Sequence, residues 1–142
     1  MVLFKNCCNL IAVANTTTDP FGATGGGAPA SEGTITFTMY KNDGTSKVYT
    51  TTTGSPGSGL TGAGVLKSGS TYTVNLSQLL TSASFGPSFL GYIFVNANFT
   101  NAHGSATVYL TSSGGAALSS PALVVGSITT ATPRPSPEGL GQ

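Results

Sequence analysis

The segment Thr34-Ile35-Thr36-Phe37-Thr38-Met39-Tyr40 alternates polar and apolar residues without a break. A strand turns successive side chains to opposite faces, so Ile35, Phe37 and Met39 share one face while the threonines and Tyr40 take the other. Such a segment fits a sheet that buries one side only. Lys41-Asn42-Asp43-Gly44 follows, and Asp-Gly is a strong tight-turn signal, so residues 47–53 read as the return strand of a hairpin. Residues 71–76 alternate again, with Tyr72, Val74 and Leu76 inward, and residues 77–80 are read as one helical turn. Residues 89–99 are a long run of β-branched and aromatic side chains, whose continuity predicts a central strand. Residues 105–111 put Ala106, Val108 and Leu110 inward, residues 123–129 make a further strand, and residues 2–4 and 10–15 make one broken strand or two. Seven or eight strands with no strong helix predict an all-β antiparallel sandwich over residues 1–130.

Charge narrows the function classes. Only 6% of the 142 residues are charged and the formal net charge is +1, where a globular domain carries roughly 25%. Five scattered cations do not neutralise a phosphate backbone, so no nucleic-acid partner is expected. No apolar run approaches the roughly 20 residues of a membrane-spanning helix. Hydrophobic residues at 39% are enough to form a core, which argues against disorder. Serine and threonine supply 39 residues. A neutral hydroxyl surface does not repel a copy of itself, and chains near zero net charge tend to associate. Residues 1–15 read as folded chain rather than a signal peptide, because the apolar stretch 10–14 is shorter than the roughly 7–15 residues a signal requires.

The loops 23–32 and 54–64 are rich in glycine, proline and serine but lack the Gly-Lys-Ser/Thr of a phosphate loop. Residues 131–142 form a proline-rich tail or linker, with Pro133, Pro135 and Pro137 favouring extended polyproline II.

Few residues are candidates for chemistry. Cys7 and Cys8 are adjacent. They can bridge each other under strain, bridge to another chain, or remain free thiols, one packed as a small apolar group. A zinc site needs three or four ligands, and His103 is the sole histidine, read as a turn residue bonding backbone groups. Asp19 beside Pro20 reads as a turn and is too isolated for calcium. Asn15, Asn75 and Asn98 each open an N-x-Ser/Thr acceptor pattern for glycosylation. Tyr40, Tyr49, Tyr72, Tyr92 and Tyr109 are candidates for a sugar-stacking platform or for cross-strand packing. No catalytic residue, metal ligand or cofactor is assigned, and the chain is expected not to be an enzyme.

Residues 11–22, the 34–44 strand and turn, Gly91-Tyr92-Ile93, Asn98-Phe99 and Ala102-His103-Gly104 together resemble secreted β-rich domains of bacteria, common in acidobacteria. The resemblance spans about residues 2–111. The order of apolar strand, Asn-Thr, Asp-Pro, hairpin with Asp-Gly and short Leu-rich turn is similar to the Ig-like sandwiches of bacterial surface proteins. It implies a single Ig-like antiparallel β-sandwich in an extracellular setting, and no activity. It also implies a cross-strand cysteine pair at the positions that here hold Ile35 and Ala97, with Cys7 and Cys8 as this chain's departure.

The leading functional expectation is a structural subunit of an extracellular filament or surface layer, self-assembling by strand complementation between copies. The candidate assembly strands are Val2, Leu3 and Phe4 at one end and Leu123, Val124, Val125 and Ile128 at the other. The alternatives are a cell-surface adhesion or carbohydrate-binding module taking glycans as partners, or an accessory domain of a larger secreted protein.

Overall fold

The computed structural model describes residues 7–18, 29–111 and 117–121, with side chains at 9–18 and 29–108. Among them are seven strands and one short helix: β1 (Cys7–Asn15), β2 (Ile35–Lys41), β3 (Ser46–Thr50), β4 (Thr71–Asn75), α1 (Leu76–Ser82), β5 (Gly91–Ala97), β6 (Ala102–Thr111) and β7 (Ala117–Pro121). They form two antiparallel sheets, of order β4-β1-β6-β7 and β3-β2-β5.

One core joins the sheets. β2 supplies Ile35, Phe37 and Met39, all fully buried, as the alternation predicts. The other sheet supplies Ile11 and Val13 from β1 and Tyr72 and Val74 from β4. Phe37 and Tyr72 face each other from different sheets with ring centroids 6.4 Å apart. The outward threonines pair across strands, Thr36 with Thr50 at 2.9 Å between hydroxyls. At the end of β2 the Asp-Gly signal is realised. Gly44 takes φ +85°, and Asp43 Oδ1 accepts from the Thr45 N–H at 2.9 Å and its hydroxyl at 2.6 Å. These bonds favour the charged form and hold the Asp43 carboxyl below its ordinary value.

α1 follows β4 directly. Leu76, Leu79 and Leu80, spaced at three and four residues, turn to one side and are buried, so the helix closes one end of the core. Asn75 caps it, with its backbone N–H donating to Gln78 Oε1 at 3.3 Å. Beyond it Lys41 Nζ donates to the Phe85 carbonyl at 2.7 Å and lies 4.2 Å from the centroid of the Phe85 ring.

Buried polar groups are closed by hydroxyls and amides rather than by ion pairs. Thr51 accepts from the Ile35 N–H at 3.0 Å and donates to the Gly64 carbonyl at 2.6 Å. Tyr72 donates its hydroxyl to the Pro56 carbonyl at 2.7 Å, and burial pushes this phenol well above its ordinary value. Asn15, only 1% exposed, donates to the carbonyls of Ser31 at 2.7 Å and Leu66 at 3.3 Å and accepts from the Thr17 hydroxyl at 2.6 Å. Asn9 is the exception. It is 3% exposed, and neither its amide nitrogen nor its oxygen has a partner among the described residues.

Several expectations are corrected. Among the described residues, residues 89–99 do not hold a central place: β5 pairs with β2 alone. His103 is not in a turn; it is an exposed residue of β6 opposite Ala14 of β1. The return strand of the hairpin stops at Thr50, because Thr51 turns inward to bond residues 35 and 64. β7 was not expected, since Ala-Leu-Ser-Ser-Pro carries no alternation. The readings of residues 2–4, 123–129 and 131–142 lie outside the described residues.

Two predictions follow from this packing. A buried amide without partners costs about 1–3 kcal/mol. Asn9→Leu, similar in size, should therefore raise the unfolding free energy by about 1–2 kcal/mol. Urea denaturation measures it, and a loss of stability would mean that the amide is bonded. Ile35 and Ala97, where the resemblance places a cysteine pair, lie directly opposite each other in β2 and β5. Ile35→Cys with Ala97→Cys, in a Cys7→Ser, Cys8→Ser background, should oxidise to an intrachain bridge. The bridge should stabilise the oxidised over the reduced chain by about 2–4 kcal/mol. Free thiols persisting under oxidant in the folded chain would contradict the register.

Candidate functional site: the outer edge of β5

Each sheet ends in two edge strands, and an edge exposes a row of backbone N–H and C=O groups ready to pair with another chain. Three of the four edges here carry a recognisable guard. The edge of β4 is covered, because Ser58 exchanges two backbone bonds of 2.9 Å with Thr73. That approach requires glycine at position 59, where φ is +104° and a Cβ would overlap the Thr71 carbonyl. β3 is five residues long and carries Lys47. β7 is equally short and ends in Pro121, which has no N–H to offer.

Among the described residues β5 has no such guard. Its sequence, Gly-Tyr-Ile-Phe-Val-Asn-Ala, holds no charge and no proline. The Asn98 N–H donates to Thr34 at 2.9 Å, one step beyond the Ile35–Ala97 pair. In an antiparallel ladder bonded and non-bonded pairs alternate. Tyr92, Phe94 and Asn96 therefore direct their peptide groups at β2, while Ile93, Val95 and Ala97 direct theirs away from the sheet. No strand among the described residues meets them.

Over residues 92–95 the side chains of this edge are apolar on both faces, with the exposed Asn96 following on the outer one. Tyr92 and Phe94 point outward and are 56% and 54% exposed. With Tyr40 they form a compact cluster: Tyr40 and Tyr92 stack at 5.2 Å, and Phe94 meets both edge-on at 6.1 and 5.6 Å. Val48 of β3, in line with Thr38 and Phe94, extends the same face. Val95 lies opposite the fully buried Phe37 and so belongs to the core side, yet it is 43% exposed. A core-facing valine that solvent reaches marks the side where the core is open. Ala106 and Val108 of β6, in register with Ile11 and Asn9 of β1, are likewise only half-buried.

The residues singled out in the sequence are spread over the molecule. Cys7 and Cys8 open β1, opposite Leu110 and Tyr109 of β6. Val2, Leu3, Phe4, Leu123, Val124, Val125, Ile128 and Asp19 lie outside the described residues. Among the glycosylation candidates, Asn15 is buried with its amide nitrogen donating to two carbonyls, which leaves a glycan no room there. Asn75 caps α1 and is half-buried, whereas Asn98 is exposed. The four tyrosines whose side chains are described do not form one platform. Tyr72 is in the core, Tyr49 packs against it with its hydroxyl 2.8 Å from Ser55, and Tyr40 and Tyr92 meet on the outer face. Sequence reasoning missed Phe94 and Val95 as surface residues, because their apolar neighbours signal burial.

Among the described residues no group of three His, Cys, Asp or Glu is placed to hold a metal, and no helix is long and apolar enough to cross a membrane. A shallow open depression of about 160 Å³ lies between Ala30, Ser31, Glu32 and Ser68, well below the roughly 300–1,000 Å³ of small-molecule pockets. Comparison with known proteins finds no matching family model, no matching curated protein and no matching solved structure.

Proposed function

We propose that this chain is a structural subunit of an extracellular filament or surface layer, and that its copies associate by strand addition at the outer edge of β5. The observation that carries the reading is Val95: a core-facing residue, 43% exposed, on an uncharged strand where the outward peptide groups of Ile93, Val95 and Ala97 meet no described strand. Strand addition supplies main-chain hydrogen bonds together with pockets for alternate side chains. A net charge of +1 leaves little repulsion between copies.

An Ig-like sandwich gives this edge a structural meaning. In that fold strands B and E are neighbours in one sheet, and C and F are neighbours in the other, with G beside F. Here β1–β4 and β2–β5 repeat the B–E and C–F pairings, and β3 follows β2 as a hairpin. The departure is β6, which pairs with β1 in the other sheet instead of standing beside β5. The position of strand G is thereby left vacant among the described residues. A strand from another copy fills the place that the fold reserves for one.

The cluster of Tyr40, Tyr92 and Phe94 favours a second reading, a carbohydrate-binding module at a cell surface, since aromatic rings on an exposed sheet stack on sugars. The stacking of Tyr40 on Tyr92 at 5.2 Å occupies one face of each ring, which makes this reading the weaker of the two.

Light scattering and negative-stain electron microscopy of the purified chain test the proposal. Species larger than the 14.1 kDa monomer should grow with concentration. Because the edge is uncharged, association should be unchanged or stronger between about 50 mM and 1 M salt, where screening weakens exposed ion pairs. A monomer at every concentration, combined with saturable glycan binding, would replace assembly with the carbohydrate reading.

A further inference from the structure

We propose that the outer face of the three-stranded sheet is a second contact between copies, in which two such faces pack together across a two-fold axis over Thr38. The inference rests on the assembly reading above for its role but not on the β5 pairing, since it uses side chains of the face rather than backbone of the edge.

The register arranges this face in three rows. Ser46, Tyr40 and Tyr92 form the first, Val48, Thr38 and Phe94 the middle one, and Thr50, Thr36 and Asn96 the last. None of these side chains is charged. The nearest charges along β2 and its turn are already engaged: Lys41 donates to the Phe85 carbonyl, and Asp43 accepts from Thr45. Among the described residues the exposed large apolar side chains are Val48, Leu90, Tyr92, Phe94 and Val95. All lie on this sheet, except Leu90, which immediately precedes β5. Val48, Tyr92 and Phe94 share the outer face at 63%, 56% and 54% exposure. Single exposed apolar residues are ordinary, whereas their concentration on one uncharged face marks a contact surface.

The relief of the face selects a second copy as the occupant. The first row is tall, with the Tyr40 and Tyr92 rings stacked at 5.2 Å. The last row is low, with the Thr36 and Thr50 hydroxyls 2.9 Å apart. A two-fold axis lying across the strands at Thr38 turns the face end for end. It lays Tyr40 over Thr36 of the other copy, Tyr92 over Asn96 and Ser46 over Thr50, and it brings Val48 and Phe94 beside their own counterparts. Facing sheets stand about 10 Å apart, a gap that large side chains fill when they meet small ones. Phe94 packs edge-on against Tyr40 and Tyr92, at 6.1 and 5.6 Å, so it leans toward the tall row and its counterpart leans the opposite way. The face is therefore its own complement in shape, and it sets no charge against its own copy.

The area sets the strength. At these exposures Tyr92 and Phe94 each leave on the order of 100 Å² in water. With Val48, Tyr40 and the threonines the face offers roughly 400 Å² per copy, below the roughly 800 Å² per partner of a stable pair. The contact is weak alone and is populated where copies are concentrated or already held by another contact. Strand addition extends an assembly within the plane of the sheet. Face packing extends it perpendicular to that plane, and the two together build a layer instead of a string.

Val48 reads the axis. It lies on β3, separated from β5 by β2, and its exposure lets a long polar side chain stand in water. All variants carry Val95→Lys, which guards β5, so that the face is read by itself. The Val95→Lys chain should dimerise weakly at high concentration in sedimentation velocity. Adding Val48→Lys, or Val48→Asp, should weaken that dimer at least about tenfold, because each sets two like charges across the axis. An equimolar mixture of the two should recover the dimer at about 50 mM salt and lose it again at about 1 M. Far-UV circular dichroism checks that each form is folded. On the unaltered chain, the nuclear magnetic resonance signals of Val48 and Thr50 should become shielded from a soluble paramagnet as concentration rises, a readout that needs no variant. A Val95→Lys dimer indifferent to both Val48 changes, or no recovery in the mixture, would overturn the two-fold face contact. An unaltered chain that associates while Val95→Lys stays monomeric and Val48 stays unshielded would overturn it too, leaving strand addition at β5 in place. A chain monomeric in every form would remove the assembly reading itself, and saturable binding of a β-linked glucose hexamer by that monomer, lost with Val48→Lys, would assign the face to sugar instead.

Discussion

A backbone peptide group that leaves water must find a partner, and in a two-sheet protein this requirement is hardest to meet at the edges. Inside the sheets the ladders satisfy it. At the outside of β4 the loop carrying Ser58 closes the row, made possible by glycines that let two backbones touch. At β3 a lysine, and at β7 a proline, discourage pairing. Among the described residues β5 has an apolar edge and none of these devices. The other features of the molecule follow this asymmetry. The core is dense where β1, β2, β4 and α1 meet, and thins toward β5 and β6, where Val95, Ala106 and Val108 keep contact with solvent.

Low charge shapes the interior as well as the surface. With four acids and five bases in the chain, buried polar groups are rarely paired with ions and are closed by hydroxyls, amides and carbonyls. Asn15, Thr17, Ser31 and Ser68 form one such network, at distances of 2.6–3.3 Å, where the chain leaves β1. Thr51 does the same at the end of the hairpin. These contacts fix the loops between the sheets without a salt bridge, so their strength varies little with ionic strength. Asn9 breaks the pattern inside the same strand that carries Asn15.

The alternating strands were legible in the sequence because alternation records a physical fact, a sheet with one wet face. Ile35, Phe37 and Met39, and Tyr72, Val74 and Leu76, all face the core as read. The helix was legible as a turn from its leucines, though it is longer than one. β5 differs from its sequence reading among the described residues because continuous apolar sequence reports the affinity of side chains for burial, while burial itself depends on a neighbour. Phe94 and Val95 satisfy every local criterion for a central strand and still face solvent. β7 escaped notice for the opposite reason. It holds its place through main-chain bonds to β6, and its alanine and serines leave no periodic trace. Asn15 carried an acceptor pattern that only its hydrogen bonds to residues 31 and 66 remove from consideration.

An unguarded edge is informative because guarding it would be cheap. Val95 is 43% exposed, so a lysine there would reach water along its alkyl stem without disturbing Phe37 or Met39. Charged side chains placed in this way are the usual protection of edge strands, and β3 of the same sheet has one in Lys47. The chain therefore uses the device on one side of a three-stranded sheet and leaves it out on the other. That side is also the side where valine and aromatic residues are exposed together and where, among the described residues, the sheet ends. Peptide groups at Ile93, Val95 and Ala97 that meet no described strand, apolar side chains on both faces over residues 92–95 and absent charge coincide in β5. Exposed apolar residues occur singly on any protein surface. Their combination with a ladder that no described strand closes is the arrangement that the proposed pairing requires.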